Sequence, residues 1–423
     1  MPSVDTGAPA TVGASAPPFP APGNRRINLA LFAVGLATFA LLFSTQALLP
    51  ALSADFGVTP GQASWTVSAA TLALAVCVLP LSMLSERFGR RRLMTVSVAV
   101  AVGIALVLPL APNLTTLIVL RAVQGAAIAG IPASAMAYLS EELRPSALVG
   151  AIGLFVAGNS VGGMTGRILT GWVADGWGWR TALLAVALLA LLGAVVFRLL
   201  APRAHNFTPA PLAPRALVRT VRGHLGDALL RRLYAIGMLF MVVFGAVYTV
   251  VGYRLVQEPF SLSQGVVGSV FVIYLVGTAS SAAAGRIVGR LGRRGTLYLA
   301  IGTTAAGLAL SLVESLTAVL AGLVLITAGF FAGHATASSS VSRSVSSGRA
   351  QASALYQMAY YLGSSLGGTV GALAFHAAGW HATVLMALAA LAAAGGITVY
   401  ATRRAVVERR QAAAAATVTA APA

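Results

Sequence analysis

Arg87-Phe88-Gly89-Arg90-Arg91 returns as Arg290-Leu291-Gly292-Arg293-Arg294, and each copy stands between two long apolar runs. Two further landmarks keep nearly the same offset. Gln62 answers to Gln264, and Gly158, Gly162 and Gly166 answer to Gly363, Gly367 and Gly371. Order and spacing kept together point to an internal duplication rather than to chance matches among common residue types. The solvent for such a repeat follows from composition. A chain of 423 residues that is 58% hydrophobic and 9% charged, with a mean hydropathy of +0.86, lies far outside the range of soluble domains.

A bilayer core of ~30 Å takes ~20 apolar residues per helix. Turn and charge signals divide the chain into twelve such spans: 27–49, 62–84, 93–112, 115–140, 146–171, 180–201, 232–255, 264–288, 296–314, 316–342, 350–376 and 381–402. The expectation is an all-α integral membrane protein whose twelve transmembrane helices form two pseudo-symmetric six-helix bundles, 25–201 and 232–402. Residues 202–231 read as a basic linker between them. The Pro/Ala/Gly-rich stretch 1–24 lacks the basic and apolar regions of a secretory signal and reads as a disordered cytoplasmic arm. Residues 403–423 read as a cytoplasmic tail whose Ala-rich end is also disordered.

Twenty-eight basic residues, all arginine, against ten acidic ones give a net charge of +18. Were they gathered in one soluble domain, a nucleic-acid binder would be the natural reading. Instead most fall between apolar runs and on one side: Arg25/Arg26, Arg87 to Arg92, Arg144, Arg215 to Arg232, Arg290 to Arg294, Arg343/Arg349 and Arg403 to Arg410, against little more than Arg180 and Arg254 on the other. By the positive-inside rule that side, with both termini, is the cytoplasm of a bacterial inner membrane. The single cysteine, Cys77, lies within span 2 and excludes an intrachain disulfide.

Over residues 27–402 the sequence resembles the major facilitator superfamily of transporters. The run Ser82-Met-Leu-Ser-Glu86-Arg87-Phe-Gly89-Arg90-Arg91 fills the family's loop signature between spans 2 and 3, with serine for a glycine and glutamate for an aspartate. Gly158 to Arg167 and Tyr360 to Gly368 resemble the YnfM-type branch of bacterial transporters, grouped with arabinose-efflux-like permeases and drug exporters. The resemblance implies a cytoplasmic gate of Glu86, Arg87, Gly89, Arg90, Arg91, Glu141 and Glu142. In it Glu86 meets the start of span 11 near residues 350–353, and Arg90 and Arg91 meet the acidic end of span 4. Carboxylates at a helix C-terminus face the negative end of the dipole, which gives the arginines an independent reason to be there. The second copy of the loop has Gly289 at the acidic position and Arg343 at the end of span 10, so the gate is expected on one side only.

Arg121, followed by Gln124 and Gly125, is a charge inside a span, where it needs a wet cavity or a partner. The pattern resembles the family's span-4 motif and implies proton coupling; a snorkelling arginine is the alternative. His334, near the middle of span 10, is a second coupling candidate, because an ordinary pKa of ~6.5 lets histidine exchange protons at physiological pH. Gly158, Gly162, Gly166, Gly363, Gly367 and Gly371 let helices approach closely. The family's exporter motif in this region is disturbed, with Gly163 for a proline and Arg167 for a glycine. Phe39 and Phe43 in span 1 match Phe240 and Phe244 in span 7. With Tyr248, Phe330, Gln46, Gln124, Asn159, Tyr253 and Gln357 they are the candidate cavity lining.

No acidic residue lies well inside any span, and there is no P-loop, metal-ligand cluster or catalytic triad. The expectation is thus a non-enzymatic secondary transporter of a neutral, zwitterionic or anionic small solute. It uses no cofactor and draws on an ion gradient, with proton-coupled export ahead of uptake or facilitated passage. Its partners are the bilayer and the solute, and relatives imply a monomer. A transport-dead receptor or assembly factor would need a soluble domain that the sequence does not show.

Overall fold

A computed structural model describes residues 22–204, 207–209 and 214–419, so nearly all of the arm 1–24 and the last four residues lie outside it. The described residues are helical throughout, with no strand. Among the described residues nine helices are long and apolar enough to cross a membrane: Asn24–Phe56, Pro60–Phe88, Arg90–Leu110, Leu114–Glu142, Ser146–Leu200, Ala228–Val256, Gln264–Leu310, Leu316–Ser344 and Arg349–Arg404. Three of them contain a break, at Gly178, Gly292 and Ala378/Gly379, and each break divides two spans. The result is the expected set of twelve.

The glycines at these corners explain the repeat with which the sequence opens. Gly89 has φ 98° and Gly292 has φ 70°, so both copies of the arginine-rich loop turn on a residue that must tolerate the left-handed region. Gly178 (φ 77°) and Gly379 (φ 67°) do the same between spans 5 and 6 and between spans 11 and 12. A buried tryptophan follows each: Trp179 Nε1 donates to Asp55 Oδ2 at 2.9 Å, and Trp380 Nε1 to the Ser311 carbonyl at 2.9 Å. This Gly-Trp pair is a fourth landmark of the duplication.

Helix starts are fixed locally. Thr59 and Gln62 form a reciprocal capping box, Asn113 caps Thr116 at 2.8 Å, and Asp227 accepts from the amides of Leu229 and Leu230. One expectation needs correcting, and the linker gains detail. The linker contains a helix, Pro214–Gly226, whose His224 Nε2 lies 3.1 Å from the Gly348 carbonyl. The tail continues span 12 as helix to Thr419 rather than being disordered, because arginine and alanine are strong helix formers and nothing breaks the run.

The two glycine rows are the contact lines of the bundles. A Cβ on Gly158, Gly162 or Gly166 would lie 2.4, 2.2 or 2.8 Å from the backbone of Phe32, Leu36 or Ala40, so span 5 rests directly on span 1. Gly363 and Gly367 stand equally close to the carbonyls of Met238 and Val242, and Gly371 to Ala246, so span 11 rests on span 7 in the same way. Backbone atoms have no rotamer with which to retreat. Gly162→Ala is therefore expected to destabilise by about 1–3 kcal/mol, the usual range for overpacking. Gly153→Ala on the same helix, where a Cβ meets nothing within 4 Å, should be neutral or slightly stabilising. Thermal unfolding of the two variants in detergent checks the pair; equal melting temperatures would refute the contact line.

Candidate functional site at the seam between the bundles

The bundles meet closely at the arginine-poor end. Ser53 Oγ and Tyr253 OH are 2.6 Å apart, and the same hydroxyl donates to the Leu49 carbonyl at 2.9 Å. Trp172 Nε1 donates to Ser269 Oγ at 2.8 Å, and the Gln264 amide, opening span 8, donates to Asp175 Oδ1 at 3.1 Å. Gln264 Nε2 also donates to the Ala47 carbonyl. Gly171 and Gly268 stand back to back, where a Cβ on Gly171 would lie 2.8 Å from the Gly268 Cα. Slightly deeper, Thr369 Oγ1 donates to Ser68 Oγ at 2.9 Å, which in turn donates to the Ser365 carbonyl at 3.2 Å.

At the arginine-rich end no hydrogen bond or ion pair joins the bundles among the described residues. The gate expected there is half assembled. Arg90 Nε pairs with Glu141 Oε1 at 3.0 Å, and its Nη1 donates to Ser85 Oγ at 2.8 Å. Arg91 differs from expectation: it leaves the carboxylates and caps span 6, donating to the carbonyls of Ala201 at 2.9 Å and Arg198 at 3.4 Å. Glu86 is half-buried and makes no bond to residues 350–353 among the described residues. Arg87 is exposed, Gly89 makes the turn, and Glu142 ends the span-4 helix.

Mid-depth, the sequence candidates separate into two groups. Arg121 does not face a cavity. It is 0% exposed, and its guanidinium donates to the carbonyls of Thr66 (2.9 Å), Leu41 (2.7 Å) and Leu42 and to Gln124 Oε1 (2.5 Å). Leu42 ends the first helix of span 1, so the cation sits on the negative end of that helix dipole. Gln124 completes the cluster by donating to the Ala101 carbonyl at 3.0 Å. Both residues hold the break in span 1 against spans 2, 3 and 4. Phe240 is also withdrawn, fully buried with its ring against the Gly333 backbone. Tyr253 belongs to the closed end. Asn159 lies beside Gly35, its buried Oδ1 unpartnered among the described residues. Gln357 is partly exposed on span 11.

The remaining candidates converge on a residue that sequence reasoning treated only as a departure from a motif. Arg167, 2% exposed in span 5, donates from Nε to Gln46 Oε1 at 2.7 Å and from Nη1 to the Gly163 carbonyl at 2.6 Å. Gln46 Nε2 continues across the seam to Thr249 Oγ1 at 3.4 Å. Three rings surround the guanidinium, Phe43 of the first bundle at 4.4 Å and Phe271 and Tyr274 of the second at 4.8 and 4.9 Å. Such faces attract a cation through their quadrupoles. No carboxylate is part of the cage, and Nη2 has no hydrogen-bond partner among the described residues. The signal available in the sequence was an arginine in the middle of an apolar run with no acid to match it.

An aromatic wall extends from this cage into the second bundle. Phe244 stacks on Phe330 at 3.9 Å and packs on Tyr248 at 4.5 Å and Tyr274 at 5.5 Å. Tyr248 OH lies 2.6 Å from Thr327 Oγ1. Phe330 stacks on His334, whose Nδ1 is 3.0 Å from Tyr356 OH and whose ring is 4.7 Å from Tyr360. His334 is thus partly exposed next to Tyr356 and Tyr360 of span 11, which the sequence did not single out as cavity candidates. Phe39 contacts Phe43 of the cage at 6.2 Å.

A sequence profile of the Major Facilitator Superfamily matches residues 29–368 and 233–422. The chain belongs to this superfamily. The inner membrane transport protein YnfM of Escherichia coli (strain K12) is 39% identical over 318 residues, 75% of this chain and 76% of that protein. The multidrug resistance protein Stp of Mycobacterium tuberculosis (strain CDC 1551 / Oshkosh) is 30% identical over a shorter stretch of 164 residues, 37% of this chain and 30% of its own length. Among solved structures, the bacterial homologue of the human lysosomal transporter Spinster, inward-facing and unoccupied, superposes with a TM-score of 0.73 at 15% identity. That match covers 90% of this chain and 97% of the other. The protein is accordingly a multi-pass membrane transporter of the superfamily's twelve-helix fold.

Proposed function

We propose that this transporter exports a small organic solute by proton antiport, its two bundles rocking about the seam. The observation that carries the reading is one-sided closure: among the described residues seven hydrogen bonds join the bundles at or near one end and an eighth at mid-depth, with none at the other end. A polar and aromatic cluster between two bodies so hinged is what alternating access requires. With the arginine-rich face in the cytoplasm of an inner membrane, this conformation is inward-facing. The Glu86 contact to span 11 then belongs to the opposite, outward-facing state. Export is favoured by the likeness to a multidrug resistance protein, and the uncompensated charge of Arg167 among rings suits a planar anion such as an aromatic carboxylate.

The proton site in this reading is His334. It touches Tyr356 and Tyr360, which ride on span 11, whereas Arg121 is sealed among backbone carbonyls. Everted vesicles energised by respiration test the reading, with internal pH followed while aromatic carboxylates, their neutral amides and cationic amines are added. Wild type should release protons on addition of a carboxylate. His334→Ala should still bind that compound and release none. Proton release unchanged in His334→Ala would refute the assignment, and carboxylate uptake into right-side-out vesicles against a gradient would reverse the direction.

A further inference from the structure

Away from the seam, spans 7, 9 and 12 of the second bundle leave two adjoining cavities at the arginine-rich end. The first, of about 220 Å³, is lined by Arg232, Arg293, Arg294 and Arg404 over an apolar floor that includes Leu233 and Leu297. The second, of about 330 Å³, shares Arg232 and Arg404 with it and adds Arg231 and Tyr400. No acidic residue is among the described residues that line either one. Burial, together with the neighbouring Arg294 and Arg343, pushes the Arg293 guanidinium below the usual arginine range. Like charges are therefore being held together at a cost that a bound anion would relieve.

Depth and chemistry identify the anion. Tyr400 is 56% exposed and carries Arg232 over its ring at 5.1 Å, and Tyr298 is 38% exposed with its hydroxyl 3.1 Å from Thr402 Oγ1. Outward-facing tyrosines at a span end mark the level of the lipid headgroups. Guanidiniums above and aliphatic side chains below match a phosphodiester above acyl chains, and arginine binds phosphate with paired donors. A soluble anion would make no use of the apolar floor. Two cavities with a shared arginine wall can seat two phosphates at once.

We propose that this double cavity is a binding site for the headgroup of an anionic phospholipid of the surrounding leaflet, with the best fit to a diphosphatidyl headgroup. The site is independent of the seam and of what the protein transports. Native mass spectrometry of the purified full chain tests it by titration with cardiolipin, phosphatidylglycerol, phosphatidylcholine and inorganic pyrophosphate. Cardiolipin should bind tightest, phosphatidylglycerol next, and phosphatidylcholine and pyrophosphate far more weakly. Near a membrane surface each arginine contributes enough that Arg232→Gln/Arg294→Gln should weaken cardiolipin binding about thirtyfold. Arg25→Gln/Arg26→Gln, with the same charge loss at exposed positions of the first bundle, should leave it unchanged. Equal weakening by both pairs would show non-specific charge attraction and overturn the site. Pyrophosphate binding as tightly as the lipids would make it a soluble-anion site and overturn the lipid. If the double variant does not purify as a monodisperse species, Arg294→Gln alone serves in its place, with about a fivefold loss expected and no loss counting against the proposal.

Discussion

Arg121→Leu is expected to lower stability by about 3–5 kcal/mol, a loss large enough to prevent accumulation of folded protein at growth temperature. The reason lies in what the side chain leaves behind. Leucine fills similar space, but the carbonyls of Leu42 and Thr66 lose a charge-assisted donor at a fully buried position. Each buried acceptor left unpaired costs about 1–3 kcal/mol. The break between Leu42 and Gln46 also loses the cation that holds it to spans 2 and 4. Arg121→Lys should recover part of the loss, since one ammonium reaches fewer carbonyls than a guanidinium fork. Melting temperature and monodispersity in detergent read both variants. An Arg121→Leu protein that melts like wild type but no longer moves protons would instead make this residue the coupling site.

The second large effect concerns transport. Arg167→Gln should cut kcat/KM for an anionic substrate roughly a hundredfold, the equivalent of the 2–3 kcal/mol that a buried charge-assisted hydrogen bond contributes. A neutral analogue of the same shape should lose tenfold or less, because the rings of Phe43, Phe271 and Tyr274 stay in place. Arg167→Lys keeps the charge without the planar contact to the rings and should fall between. Transport of both compounds by reconstituted proteoliposomes separates these outcomes. Equal losses for the anion and its neutral analogue would mean that Arg167 only fastens span 5 to Gln46 across from Thr249.

Much of the fold was legible because each local signal has one dominant cause. Apolar runs of membrane length admit helices only, since a backbone in lipid must satisfy its own hydrogen bonds. Gly89 and Gly292 were visible as repeat landmarks because the left-handed turn they make leaves little choice of residue. The glycine rows likewise announced close helix contact, although the partner helix, span 1 for one row and span 7 for the other, was not written in either row. Local rules also misled. The Ala-rich tail read as low-complexity sequence yet continues span 12, and Arg91, though it follows Arg90, turns to the end of span 6 instead of to the carboxylates.

The functional centre was legible only in pieces. Gln46, Phe43, Phe244, Tyr248, Phe330 and His334 could be named from helix position and repeat matching, but their grouping around Arg167 could not. Phe271 and Tyr274 reach that guanidinium from the other bundle, more than a hundred residues along the chain. Phe240, a repeat partner of Phe39, faces Gly333 because the helix packing of the second bundle turns it away from the seam.

The sequence alone therefore determined the solvent, the number of spans, the duplication and the corners, all properties of one helix or one loop and its neighbours in the chain. Tertiary structure alone decided that Arg121 is sealed against carbonyls while Arg167 stands in an aromatic cage, and that the hydrogen bonds joining the bundles among the described residues gather toward one end. Two buried arginines in apolar runs look alike in sequence, since the cost of burying the charge is the same for both. What differs is which groups the other helices bring to meet it, and those come from distant parts of the chain.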